Sequence, residues 1–251
     1  MRVVILIVAF AALAAGAVMA ALGHRADGGS AATQGIATAA PPGRVALEPS
    51  SDAAQAPTVV ASAPAIEGSP GCGTPVATGD RLAQIDTDQG LRTYRLHVPE
   101  RYREGIPTPL LLNFSGYGRS ALEQETYSGL VTLSERRGVV LVTPGGSGSP
   151  PAWDIPGIYA ENGYDDVAFV VLLLGQLEAD LCIDPSRVFA TGLSNGAEMA
   201  SLLACRRPDL FAAVAPVAGV IYDGCEDGRV AVIAFHGTQD DNIPFEYAPP
   251  A

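Results

Sequence analysis

Apolar and polar positions follow three different rhythms along this chain. Residues 3–23 are uncharged and apolar, with Arg2 before them and His24-Arg25 after. Residues 26–70 are mostly Ala, Pro, Gly, Ser and Thr, a mixture that buries too little apolar surface to offset chain entropy. Beyond Gly71, short apolar runs alternate with polar turns. Residues 91–98 alternate polar with apolar, which predicts a half-exposed strand. Residues 110–114 and 139–142 are unbroken apolar runs, the pattern of strands buried on both faces. Helical spacing runs over 122–136, and Pro144-Gly145-Gly146-Ser147-Gly148 marks a loop. The apolar run 167–177 follows Asp165-Asp166. It is too short and too acid-flanked to span a bilayer, and it predicts a packed helix with an acidic N-cap. Further strands are expected at 187–191, 213–217 and 230–235, and a helix at 196–205.

Buried strands alternating with helices predict an α/β fold, a mostly parallel sheet flanked by helices, with its chemistry at the carboxyl ends of the strands. Three segments are expected. Residues 1–23 form a secretory signal, cleaved after Ala20, or else an uncleaved N-terminal anchor. Residues 24–70 form a flexible tether, and 71–251 the folded domain. Either form of the leader places the domain outside the cytoplasm.

Composition narrows the function classes. The net charge is −12 and every basic side chain is arginine. Such a chain repels phosphate backbones and anionic lipid surfaces, which argues against nucleic acid and leaves the leader as the one route to a membrane. A monomer is expected. Four cysteines in an exported chain predict two disulfides, and their spacing has no zinc pattern. Three pairings are possible. Cys205–Cys225, bracketing one helix–strand unit, with Cys72–Cys182 is the pairing expected; buried thiols are the alternative.

The strongest chemical signal is Gly192-Leu193-Ser194-Asn195-Gly196, between a predicted strand and a predicted helix. A GxSxG pattern in that setting lifts a serine hydroxyl off the sheet, above a helix N-terminus and the Asn195 amide. The plainer alternative is a glycine turn with a capping serine. A second amide donor for a tetrahedral oxyanion is expected from the loop after an earlier buried strand. Phe114-Ser115-Gly116-Tyr117-Gly118 occupies that place, and the Tyr117 backbone N–H is the candidate. For a triad acid, Asp240 after the 230–235 strand is the choice, with Asp241 as alternate and a solvated turn cap as the plain alternative. His24, His97 and His236 are poorly placed for the base, and His236 is expected to stabilise a turn. Trp153, Tyr159 and Tyr164 lie in a loop expected to overhang the site, so Trp153 and Ser115 are candidates for substrate contact. No metal or cofactor is implied.

Taken together, ETYSGL, VVLVTPGG, DDVAFV, LCIDPSRVFATGLSNGAEMASLLAC, FAAVAPVAGV and VAVIAFHGTQDDNIPF resemble secreted feruloyl esterases and polyhydroxybutyrate-depolymerase-like esterases of the α/β-hydrolase superfamily. The resemblance covers residues 72 to about 247. It implies an exported carboxylic-ester hydrolase, with Ser194 as nucleophile, Asp240 as triad acid and residues 115–117 as oxyanion loop. Feruloyl-like esters are expected ahead of polyesters. Ser115-Gly116 departs from the family's His-Gly, which bears on loop rigidity. The family's catalytic histidine follows the Asp240 segment, so the chain is expected to lack the last strand and helix. It is then either a fragment of a longer product or a truncated, inactive relative. A non-catalytic exported binding domain is the alternative function.

Overall fold

The computed structural model describes residues 6–7, 67–158, 163–221, 225 and 230–245. The chain divides into two compact units, Leu13–Pro64 and the remainder, and every described residue belongs to the second. Most of the expected leader and tether therefore lies outside the described residues. The fold takes up the chain before residue 71: Ser69 is buried, donates its backbone N–H to Ile183 O at 2.8 Å and its hydroxyl to Leu181 O.

One eight-stranded sheet organises the unit. Its strands in chain order are β1 (Leu6–Ile7), β2 (Gly79–Thr87), β3 (Gly90–Val98), β4 (Thr108–Phe114), β5 (Val140–Pro144), β6 (Ile183–Leu193), β7 (Ala213–Val217) and β8 (Ala231–Ala234). The helices are α1 (Ala121–Ser128), α2 (Leu130–Arg137), α3 (Asp166–Asp180) and α4 (Asn195–Arg206). Across the sheet the order is β1-β8-β7-β6-β4-β5-β3-β2. β5, β4, β6, β7 and β8 run parallel, while β2 and β3 pair antiparallel with each other and β3 antiparallel with β5. The expected α/β sheet is present, and its most apolar strands, β4 and β5, lie inside it.

The helices follow from their caps and stripes. Asp165 accepts the Ala168 N–H at 2.8 Å and starts α3, as its acidic lead-in predicts. Phe169, Val170, Leu173, Leu174 and Leu177 then bury one face. The single helix expected over 122–136 is two helices. Gly129 adopts φ 64°, closes α1 with a left-handed cap, and restarts the chain as α2. β2 is a strand that the sequence does not signal, because its alternation is mostly between half-exposed and exposed positions. Its apolar residues are too few to mark a strand without the β3 partner.

Both expected disulfides are present, Cys72–Cys182 and Cys205–Cys225. The first closes a separation of 110 residues, for which the chain-entropy model gives about 4–5 kcal/mol of stabilisation. Leu6–Ile7 pairs with β8 in parallel, Leu6 opposite Ile233 and Ile7 opposite Ala234. Among the described residues no helix is long and apolar enough to cross a membrane.

Candidate active site

The site forms where the central parallel strands end. β6 delivers Leu193, and the next residue, Ser194, has φ 54° and ψ −122° before α4 begins. A non-glycine residue there stores about 1–3 kcal/mol of backbone strain, tolerated only where the surroundings fix it. Those surroundings are explicit. The Ser194 N–H donates to Val217 O at 2.9 Å, and its carbonyl accepts the Ala197 and Glu198 N–H groups at 2.8 and 3.0 Å. Glycines let the backbones meet. A Cβ on Gly192 would stand 2.9 Å from Phe114 O, and one on Gly196 would overlap the same carbonyl. A Cβ on Gly219 would overlap Ser194 O, a third close approach that the GxSxG pattern does not announce. Ser194 itself is half-buried.

β4 ends beside this bend. Phe114 is in register with Gly192, and a Cβ on Gly116 would lie 3.6 Å from the Ser194 Cβ. The 115–117 loop therefore runs along the elbow, as its sequence position predicts. Ser115 is buried, and Tyr117 is 52% exposed. Asn195 opens α4, so its N–H is one of the donors that a helix start leaves unused.

Trp153 is placed differently from its expected overhang. It is fully buried, edge-on to Phe114 with ring centroids 5.0 Å apart, and so presents no surface on which a substrate could stack. Its indole N–H donates to Ser115 O at 2.8 Å. Its backbone N–H donates to Asn195 Oδ1 at 2.7 Å, and its carbonyl accepts from Asn195 Nδ2 at 3.1 Å. Ser115 is likewise buried and accepts that indole N–H with its carbonyl. Tyr164 is half-buried, and Tyr159 lies outside the described residues.

Behind Trp153 stands a buried ion pair. Arg92 reaches Asp166 at 2.9 Å, donates to Gly145 O at 2.9 Å, and lies 3.9 Å over the Phe169 ring. The other oxygen of Asp166 accepts the Asp154 N–H at 2.7 Å. Burial pushes the Asp166 carboxyl above its ordinary range, against the pull of the Asp154 amide and Arg92. Glu198, one turn into α4, is also raised by burial, opposed by the hydrogen bond from Asn195 Nδ2 at 3.3 Å.

The acid candidate follows β8, two strands across from β6. Asp240 Oδ1 accepts the backbone N–H groups of Asn242 and Ile243 at 3.0 and 2.9 Å. Its other oxygen lies 3.5 Å from His236 Nε2, and that nitrogen is 2.7 Å from Ile243 O. The His236 ring is also edge-on to Phe245. His236 thus braces its turn, as expected. His97 sits on β3, buried between Asp80 at 2.6 Å and Glu135 at 2.9 Å, well away from the elbow in the sheet order. His24 lies outside the described residues. Asp241 is exposed and makes no side-chain hydrogen bond among those described.

Two cavities adjoin the elbow. One of about 700 Å³ is walled by Leu193 and by α1 with the residue leading into it, chiefly Leu122, Tyr127, Arg119 and Glu123. A smaller one of about 290 Å³ lies between Glu198, Gly219, Ile221, Asn242 and Ile243, joining the start of α4 to the Asp240 loop. Among the described residues no group of His, Cys, Asp and Glu is arranged to hold a metal.

Known proteins bear on this geometry. Feruloyl esterase C of Emericella nidulans is 30% identical over 186 residues, covering 71% of this chain and 64% of the relative. Feruloyl esterase D of Neurospora crassa is 31% identical over 198 residues, covering 73% of this chain and 64% of the relative. The chain thus spans a little under two thirds of the length of the curated relatives it matches. A solved structure described as a thermostable esterase superposes with a TM-score of 0.57 at 20% identity, over 66% of this chain and 48% of the other, which supports the fold. The model of the Esterase PHB depolymerase family matches residues 94–243, from within β3 to the Asp240 loop, and the chain belongs to that family.

Proposed function

We propose that the protein is an exported serine carboxylic-ester hydrolase that works through an acyl-enzyme on Ser194. The observation that carries this is the Ser194 backbone, held at φ 54° between β6 and α4 with two amide-bearing segments beside it. In this mechanism the Ser194 oxygen attacks the ester carbonyl carbon and gives its proton to an imidazole base. The negative oxygen of the tetrahedral intermediate is received by the Asn195 and Tyr117 backbone N–H groups. The bond to the alcohol oxygen then breaks, the alcohol leaves with the proton, and water releases the acid from Ser194. Asp240 would orient that imidazole, which no described residue supplies. Both described histidines are engaged elsewhere, His97 by two carboxylates and His236 by the Ile243 carbonyl, so neither is assigned that role.

The larger cavity beside Leu193, with Leu122 and Tyr127 on its walls, suits an aromatic acyl group, which favours feruloyl-type esters. The names of the two fungal relatives point the same way. Two disulfides support an oxidising, extracytoplasmic location. The test is turnover of p-nitrophenyl acetate and methyl ferulate by the complete gene product, with Ser194→Ala alongside. We expect the variant to lose on the order of a million-fold in turnover. Turnover retained by Ser194→Ala would remove Ser194 from the mechanism. Ester binding without any turnover in either protein would favour a binding domain.

A further inference from the structure

Trp153 is the chain's single tryptophan, and it comes from a loop yet exposes none of its surface. All three of its polar groups are spent on the two segments that flank Ser194. Its peptide N–H and C=O are both taken by the Asn195 side chain, at 2.7 and 3.1 Å, and its indole N–H holds the Ser115 carbonyl at 2.8 Å. We infer that Trp153 is a positioning residue that fixes the spacing of the two backbone amides assigned to the oxyanion. The inference rests on the ester-hydrolase reading above.

The geometry works through shared atoms. The Asn195 side chain and the Asn195 N–H belong to one residue, so clasping the first at two points restrains the second. The Ser115 carbonyl and the Gly116 N–H belong to one rigid peptide plane, so holding the carbonyl fixes the direction in which the chain enters Gly116, the residue before the Tyr117 N–H. Trp153 is the one residue bonded to both segments among the described hydrogen bonds, its indole to Ser115 and its backbone to Asn195. Its own position is fixed from behind, where the next residue's N–H is held by Asp166 and Asp166 by Arg92. The Phe114 ring, edge-on at 5.0 Å, closes the remaining side.

An oxyanion donor acts over a narrow range, about 2.7–3.1 Å from the charge. A displacement of about 1 Å at such a site costs about 100-fold in rate. Trp153→Phe keeps a six-membered aromatic ring and the backbone clasp while deleting the indole donor to Ser115 together with the pyrrole half of the ring. That variant should melt cooperatively, lose at least 10-fold of the amide exchange protection across residues 114–118, and lower kcat about 10- to 100-fold with KM within twofold. Unchanged protection and unchanged kcat in the folded variant would overturn the inference. So would a raised KM at constant kcat, because that outcome makes Trp153 a substrate contact. The exchange measurement judges the clamp even where Ser194→Ala shows the nucleophile assignment to be wrong, so the two failures separate. Should Trp153→Phe not fold, the wild-type protein labelled at its one indole N–H supplies the readout. Phosphonylation of Ser194 should shift that single resonance, and an unmoved resonance after complete phosphonylation would overturn the inference.

Discussion

The two halves of the proposed site are held by different means. At the ends of β4 and β6, Ser194, Asn195 and the 115–117 loop are fixed by contacts between segments far apart in sequence. Trp153 lies 38 residues from Ser115 and 42 from Asn195 along the chain. At the end of β8, Asp240 and His236 are fixed by hydrogen bonds spanning only two to seven residues. Long-range contacts tie the oxyanion half to the core, so it cannot shift without disturbing the sheet. Local turns hold the acid half, which can be altered without loss of the fold. Chemistry and stability should therefore separate at Asp240 and coincide at the elbow.

Asp240→Asn tests the acid half most sharply. Asparagine keeps an oxygen for the Asn242 and Ile243 N–H groups but loses the charge that orients an imidazolium. We expect kcat to fall about 10⁴-fold while the melting temperature stays within a few degrees, measured by steady-state kinetics and calorimetry on the complete gene product. Equal losses of activity and stability would erase the contrast. Gly196→Ala tests the other half. Its methyl group would overlap the Phe114 carbonyl, and relieving that overlap must part β4 from the elbow. A loss of about 3 kcal/mol or more should appear as a melting temperature lower by about 6–12 °C, together with lost turnover. A fully stable Gly196→Ala would show that the elbow is looser than its contacts imply.

Glu198→Gln probes the oxyanion half through pH. Burial raises the Glu198 carboxyl above its ordinary value, so the native state holds that proton more tightly than the unfolded chain. Its contribution to stability is then complete below the unfolded value, about 4.3, and is lost as pH rises through the raised folded value. Asp166, raised by burial too, titrates with the same sign. The informative quantity is therefore the difference between wild type and variant. Glu198→Gln should melt a few degrees higher near pH 7 and show a flatter decline from about pH 4.5 upward. A slope identical to wild type would mean that Glu198 is not the buried proton acceptor. The smallest effect is expected at His236. His236→Gln should cost about 1 kcal/mol through the Ile243 contact and leave kcat within about threefold. A loss approaching that of Ser194→Ala would instead promote His236 to the base.

Legibility in the sequence varied from element to element. β4 and β5 were legible because both their faces are buried, and an unbroken apolar run of their length fits a doubly covered strand. Ser194 was legible because a strand, two glycines and a helix frame it. The two disulfide pairings followed from one bracketed unit and the remaining pair. β2 escaped because most of its positions are solvated on both faces, so apolar content gives no signal there. The break at Gly129 escaped because the helical spacing continues across it, and only the left-handed cap shows the stop. Trp153 misled for a more instructive reason. An aromatic residue in a polar loop looks like a surface feature, and its burial depends on the Asn195 amide and the Ser115 carbonyl arriving from two other segments. No local pattern encodes that meeting.

The most direct measurement is the site of covalent reaction with a fluorophosphonate probe on the complete gene product, mapped by peptide mass spectrometry. A single adduct on the peptide carrying Ser194, absent from Ser194→Ala, is the outcome that the elbow geometry requires. An adduct on another residue, or none on a protein that turns over esters, would contradict it.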